Sequence, residues 1–203
     1  MNLSNQQLSE FVSRMHAAAR RYEQHLNAAD ATLGDGDTGS MLRRILAAMA
    51  AVDVEAKQDI AGAATALAQA TMKETGSSLG TLVGTCLLTI AKEARARGGG
   101  LDAADMADVT AAMADAVAAR GKASVGDKTV LDSLTAISEA LGAGPATQAS
   151  AAAAARAILT DLRGKPCRAG RARMYPERSV GADDPGMLAA ALLLDEVETA
   201  DAD

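Results

Sequence analysis

Apolar positions recur at three- and four-residue steps along most of the chain, the period of one face of an α-helix. Leu8, Phe11, Met15, Ala19, Tyr22 and Leu26 make the first such stripe. A second helix is expected after Gly39, with Met41, Leu42, Ile45, Leu46 and Met49 facing inward. Residues of about 59 to 74 predict a third, rich in Ala, and Leu82, Val83, Cys86, Leu87 and Ile90 mark a fourth. "RGGGL" breaks the pattern, and Asp102 stands where an N-cap would open a fifth helix carrying Met106, Val109, Met113 and Val117. The sixth runs from about Thr129 to Leu141 and stops at "GAGP"; the seventh spans the Ala tract to Leu162. The eighth opens at "DDPG", where Asp184 can cap and Pro185 fits a first turn that needs no amide. No repeat period and no domain-sized linker interrupts the series. The expected architecture is all-α, a single domain over residues 1–203 with eight helices in up-and-down order.

The connections are of two kinds. "RGGGL" and "GAGP" are plain breakers, whereas Ala28 to Ser40, Lys73 to Thr81, Arg120 to Lys128 and Arg163 to Asp184 combine Gly with polar groups. Counted in order, these four are the first, third, fifth and seventh connections. Alternate connections of an up-and-down bundle lie at the same end, so all four are expected together. Topology alone puts the functional site there.

Composition narrows the picture. Apolar residues make up 49% but aromatics only 1%, so the core must be Leu, Ile, Val, Met and Ala between closely spaced helices. The net charge of −6 and the lack of a basic stripe interleaved with aromatics argue against nucleic acid. Cys86 and Cys167 are too few and too far apart for a disulfide framework or a zinc cluster. The start, "MNLSNQQLSE", lacks the regions of a signal peptide, and no apolar run reaches bilayer length. A soluble cytoplasmic protein with reduced thiols and no membrane role is expected.

The most informative loop is "ATLGDGDTGSML". Gly34, Gly36 and Gly39 spell G-x-G-x-x-G, but a helical pattern precedes them where a dinucleotide fold needs a strand. A carboxylate ~4 Å from a phosphate charge is also repelled by ~4 kcal/mol at intermediate dielectric, unless a cation intervenes. The dinucleotide reading fails. Asp30, Asp35 and Asp37 are hard oxygen ligands of the sort Mg²⁺ or Ca²⁺ takes, on a backbone that glycine lets fold tightly. The EF-hand pattern does not fit either register. A half-built all-Asp site suits Mg²⁺ with substrate phosphates, and an Asx-type turn with solvated charges accounts for the same residues.

The other loops at this end add anion-friendly groups. "GSSLG" (Gly76 to Gly80) precedes a helix, so its amides could meet an anion, or merely form a capped turn. "RGKASVGDKT" holds Lys122 and Lys128 and reads equally as a solvated loop. "GRARMYPERSVGADDPG" gathers Arg171, Arg173 and Arg178 beside a helix start. An arginine there could stabilise a transferring phosphoryl group, or simply face water. His16 and His25 both fall in the first helix, where a surface or packing role suffices. No nucleophile paired with a base is evident.

Taken in order and spacing, "GDGDTG", "GSSLGTLVGT", "RGKASVGDKTVLD" and "GRARMYPERSVGADDPG" resemble the signature regions of the nucleotide-binding L subunit of dihydroxyacetone kinase, over essentially the whole chain. The resemblance implies an eight-helix antiparallel barrel with ADP or ATP at one end and two Mg²⁺ ions between three aspartates and the phosphates. Carried over motif by motif, the metal ligands are Asp30, Asp35 and Asp37. The nucleotide contacts are Thr38, Gly39, Ser40, Met41, Ser78, Leu79, Gly121, Val130, Arg171, Asp184, Pro185 and Gly186. Arg171 is the candidate for transition-state charge.

The same resemblance implies partners. A separate K-type subunit holds the small ketose, and in one branch of the family an M-type phosphotransferase-system protein recharges bound ADP. The chain departs from the family pattern in three places: Thr38 where His is usual, Ser40 and Met41 where an Asn follows, and Leu79 where Ser is usual. "GDTG" is also similar to the ATP-binding domain of fatty acid kinases. Two further readings therefore stand beside the ketose kinase: an ATP-binding subunit for another acceptor, and a non-catalytic nucleotide-binding module.

Overall fold

A computed structural model describes residues 2–170, 172–174 and 176–199. Among these residues every regular element is helical, as the periodicity predicts: α1 (Asn5–Leu33), α2 (Thr38–Ala50), α3 (Ile60–Glu74), α4 (Ser78–Ala96), α5 (Met106–Gly121), α6 (Val130–Ala143), α7 (Gln148–Leu162), α8 (Pro176–Ser179) and α9 (Pro185–Thr199). Eight are long. The ninth, α8, is a single turn inside the longest connection, where the sequence pattern gives no apolar stripe to announce it.

Polar caps set the starts. Ser4 and Gln7 close a reciprocal capping box on α1, Ser77 accepts from the Gly80 amide on α4, and Thr129 with Asp132 boxes α6. Asp184 Oδ1 accepts from the Met187 amide at 2.9 Å, so the expected cap of α9 forms. Asp102 also caps, but it opens a short 3-10 turn, Ala103–Asp105, that leads into α5. The one large boundary correction is α1. It continues to Leu33, so Asp30 stands on its last turns and not in a loop. The apolar stripe ends at Leu26 because the final turns project toward the site, where an apolar face has nothing to bury.

Each long helix packs on its neighbours in the chain, and α9 packs back on α1, which closes the eight into a ring. Alanine sets the spacing: Ala18, Ala19, Ala63, Ala68, Ala152 and Ala155 are essentially buried and let backbones approach closely. Leu26, Met41, Ile45, Leu67 and Met187 fill the middle. Burying such side chains contributes ~1.5–3 kcal/mol each. No described helix is long and apolar enough to cross a membrane.

The alternation of direction has one consequence for function. α2, α4, α6 and α9 all begin at one end of the ring, with Thr38, Ser78, Val130 and Pro185 around a single cavity.

Candidate active site

That cavity has a volume of about 950 Å³, large enough for a nucleotide-sized ligand. All four loops singled out by their composition contribute to its wall. Four helix N-termini open onto it, and each presents backbone amides and the positive end of a macrodipole. The site is built to receive negative charge.

The acidic group stands at one side. Oxygens of Asp30, Asp35 and Asp37 all lie within 4.8 Å of one another. Asp30 is buried on α1, and its Oδ2 accepts from the amides of Asp37 at 2.9 Å and Thr38 at 3.1 Å. One oxygen thus ties the start of α2 to the end of α1. The other, Oδ1, occupies the space a Cβ at position 34 would need, which is why Gly34 stands there. Asp37 sits at the N-cap of α2 without a capping hydrogen bond from its side chain, so its carboxylate is not spent on the helix. Gly36 turns the chain between Asp35 and Asp37 at φ +77°, a conformation that L side chains rarely adopt.

Gly39 is needed for a different reason. A methyl group there would overlap the backbone carbonyl of Glu23, so α1 and α2 touch at this point. Around the contact, Asn27 accepts from the Ser40 amide at 3.1 Å and donates to the Ser40 hydroxyl at 2.9 Å, while that hydroxyl donates to Glu23 at 3.0 Å. Hard oxygen donors, closely grouped and partly facing a cavity, fit a Mg²⁺ ion.

The other positions marked for nucleotide contact divide. Thr38, Met41, Ser78, Leu79, Gly121, Val130, Asp184, Pro185 and Gly186 line the cavity. Gly39 and Ser40 do not: they face α1 and hold the helix crossing. Arg171 lies outside the described residues. Three cavity arginines stand beyond that set: Arg44, Arg120 and Arg173. Arg44 is one helical turn beyond Met41, a spacing that would have revealed it.

Lys128 overturns its solvated-loop reading. It is 1% exposed and turned away from the cavity, with Nζ donating to three backbone carbonyls of the Arg163 to Asp184 connection. Lys122 is exposed, as a solvated loop residue would be. Burial pushes the Asp184 carboxyl up to about 6, against the pull of the Met187 and Gly186 amides and the Lys128 charge. Both cysteines are free, and burial pushes the Cys86 thiol up to about 12.

Residues 32–199 match the DAK2 domain. The chain belongs to the DAK2 family. It is 28% identical to the ADP-binding subunit DhaL of the PTS-dependent dihydroxyacetone kinase of Lactococcus lactis, over 92% of both chains. The corresponding subunit of the PEP-dependent enzyme of Escherichia coli is 27% identical over 96% of both. An L-erythrulose 1-kinase of Mycolicibacterium smegmatis is 35% identical over 85% of this chain, which spans only 31% of that protein. The fold superposes on the dihydroxyacetone kinase of C. freundii with a TM-score of 0.77 at 22% identity, covering 98% of this chain and 35% of that one. These relatives are kinases or kinase subunits, and the DAK2 barrel is the fold they share with this chain.

Proposed function

We propose that the chain is the nucleotide-binding subunit of a small-ketose kinase, holding Mg-ADP or Mg-ATP in the cavity at the N-terminal ends of α2, α4, α6 and α9. The observation that carries this reading is the meeting of an aspartate triad and four helix N-termini in one pocket. Carboxylates repel phosphates and helix N-termini attract them, and a divalent cation between the two reconciles the chemistry. Asp30, Asp35 and Asp37 would hold Mg²⁺, two ions by family resemblance. When bound, the metal neutralises phosphate charge and orients the phosphoryl group.

The chain's own groups do the rest. Backbone amides at Ser78 and Val130, at the starts of α4 and α6, would donate hydrogen bonds to the phosphates. Arg173 faces the cavity, and Arg171, two positions earlier in the sequence, is assigned to the charge that builds as the phosphoryl group moves. Among the described residues, no serine, cysteine or histidine of the site is paired with a base. By the family resemblance, the acceptor hydroxyl belongs to a ketose on a separate K-type subunit docked over the mouth. The names of the Lactococcus and Escherichia relatives support recharging of retained ADP by an M-type phosphotransferase-system protein.

A second acceptor has specific support. The relative at 35% identity is an L-erythrulose kinase, and Thr38 departs from the dihydroxyacetone pattern, so a four-carbon ketose is the alternative substrate. The decisive experiment is thermal unfolding with and without Mg-ADP, in the wild type and in Asp35→Asn. The wild type should be stabilised and the variant should lose at least a hundredfold in Mg-ADP affinity; equal stabilisation of both would sink the assignment. Phosphorylation assays with dihydroxyacetone and L-erythrulose, each with its candidate K-type partner, separate the two acceptors.

A further inference from the structure

Lys128 is among the largest fully buried side chains, and it is a cation. Its Nζ donates to the carbonyls of Ser179 at 2.7 Å, Lys165 at 2.8 Å and Arg163 at 2.9 Å. Three acceptors converging on one nitrogen require three N–H donors, which only the ammonium form has. A neutral amine has only two N–H donors for the three carbonyls. Removing the whole side chain would leave the Lys165 carbonyl without this donor, while the Arg163 and Ser179 carbonyls would keep only the Gly181 and Ala182 amides.

The identity of those carbonyls gives the arrangement its meaning. Arg163 and Lys165 begin the long connection after α7, and Ser179 closes α8 near its end. Both roots of the connection are therefore pinned to one atom. Between them lie Ala169, Gly170, Ala172, Arg173 and Met174, which wall the cavity. Two more ties reinforce the roots: the Cys167 amide donates to Ser179 Oγ at 2.7 Å, and the Gly181 amide donates to the Arg163 carbonyl at 2.9 Å.

Lys128 is itself held from the other side. It adopts φ +61°, a left-handed backbone uncommon for a side-chain-bearing residue. Asp132 fixes the segment around it, with Oδ1 accepting from Gly126 at 2.5 Å and Oδ2 from Thr129 at 2.8 Å. The same segment leads directly into Val130 at the cavity edge. A strained backbone retained by its surroundings is the usual mark of a positional requirement.

We propose that Lys128 is a positioning residue of the nucleotide site: its ammonium staples both roots of the 163–181 segment, and through them sets the arginine-bearing wall over the ligand. The proposal rests on the nucleotide reading for its consequence, but the staple itself is testable without any ligand. Lys128→Met keeps the length and removes all three donors. Lys128→Arg keeps the charge but spreads its donors over a planar fork.

Limited trypsin digestion of the full chain, read by mass spectrometry, tests the staple. In both variants, cleavage after Arg168, Arg171, Arg173 and Arg178 should accelerate at least tenfold, with cleavage elsewhere in the chain little changed. Acceleration spread evenly over the whole chain would mark a general structural role and overturn the proposal, as would wild-type cleavage in Lys128→Met. Calorimetry then reads the site. Mg-ADP should bind both variants at least tenfold more weakly, and wild-type affinity in Lys128→Met would equally overturn it. If the wild type binds no Mg-ADP, the nucleotide reading fails while the digestion still decides the staple. If Lys128→Met does not fold, Lys128→Arg supplies both measurements.

Discussion

Two loops bring chemistry to the same cavity by opposite means. The turn between α1 and α2 is short, and its groups are fixed by contact: Gly39 lies against the Glu23 carbonyl, and one oxygen of Asp30 gathers two amides. The connection from α7 to α9 is more than 20 residues long. It is organised around one buried cation. The first holds carboxylates within 4.8 Å of each other, a tolerance suited to metal coordination. The second positions a wall. Precision at close quarters comes from backbone contact, whereas reach over a mouth comes from a long segment with anchored ends.

The strongest way to break the comparison is Gly39→Ala. The added methyl meets backbone, which cannot rotate aside, so α1 and α2 must separate. A loss of about 1–3 kcal/mol in urea unfolding is expected, together with loss of Mg-ADP stabilisation as the triad is displaced. A variant with wild-type stability and binding would show that contact does not set the turn.

The next effect concerns the far side of the cavity. Asp184 is raised to about 6 from an ordinary carboxylate value near 3.8. Because the folded state holds this proton more tightly than the unfolded chain does, the contribution to stability is greatest below the unfolded pKa. It is lost as pH rises through about 4 to 6. Asn caps helices as well as Asp does, so Asp184→Asn keeps α9 while removing the titration. The stability of the wild type relative to this variant should fall by about 2 kcal/mol between pH 4 and pH 6, since each tenfold difference in proton affinity is worth ~1.4 kcal/mol. Urea titrations across that range measure it, and a constant difference would refute it.

The smallest effect is expected at the exposed ion pair of Arg163 with Asp183. Its two hydrogen bonds, at 2.7 and 2.9 Å, also join the roots of the long connection. Exposed pairs contribute about 0–1 kcal/mol. Arg163→Gln should change stability by less than about 1 kcal/mol and leave tryptic protection of residues 168–178 nearly intact, because the carbonyl at position 163 still meets Lys128.

The unequal legibility of the two loops has the same origin. Helical periods gave the long helices and their order, because apolar stripes at Leu8–Leu26 or Met41–Met49 record burial directly. Order alone then grouped the four polar loops at one end. Asp30, Asp35 and Asp37 were readable because ligand type and local spacing lie in one short stretch. Ser40 was not: its engagement by Glu23 and Asn27 depends on which face of α2 meets α1. Lys128 was least legible. A lysine between Asp127 and Thr129 in a glycine-containing loop looks solvated, and its three acceptors lie 35, 37 and 51 residues away. Backbone carbonyls leave no signature in side-chain identity. Periodicity is likewise silent on Arg120, whose relevance comes from the cavity and not from a motif.

The closing of the ring by α9 on α1 has an architectural consequence. α1 runs toward the cavity and α9 away from it, with Arg21 of one helix paired to Glu196 of the other at 2.6 Å. The start of α1 and the end of α9 therefore lie away from the mouth, on adjacent staves of the barrel. A tether fused at either end would leave the opening clear. The same geometry suits a module carried inside a larger polypeptide, as in the relatives of which this chain spans only a third. It also makes the barrel a candidate for circular permutation, with the old ends joined and new ones cut in the "GAGP" turn between α6 and α7.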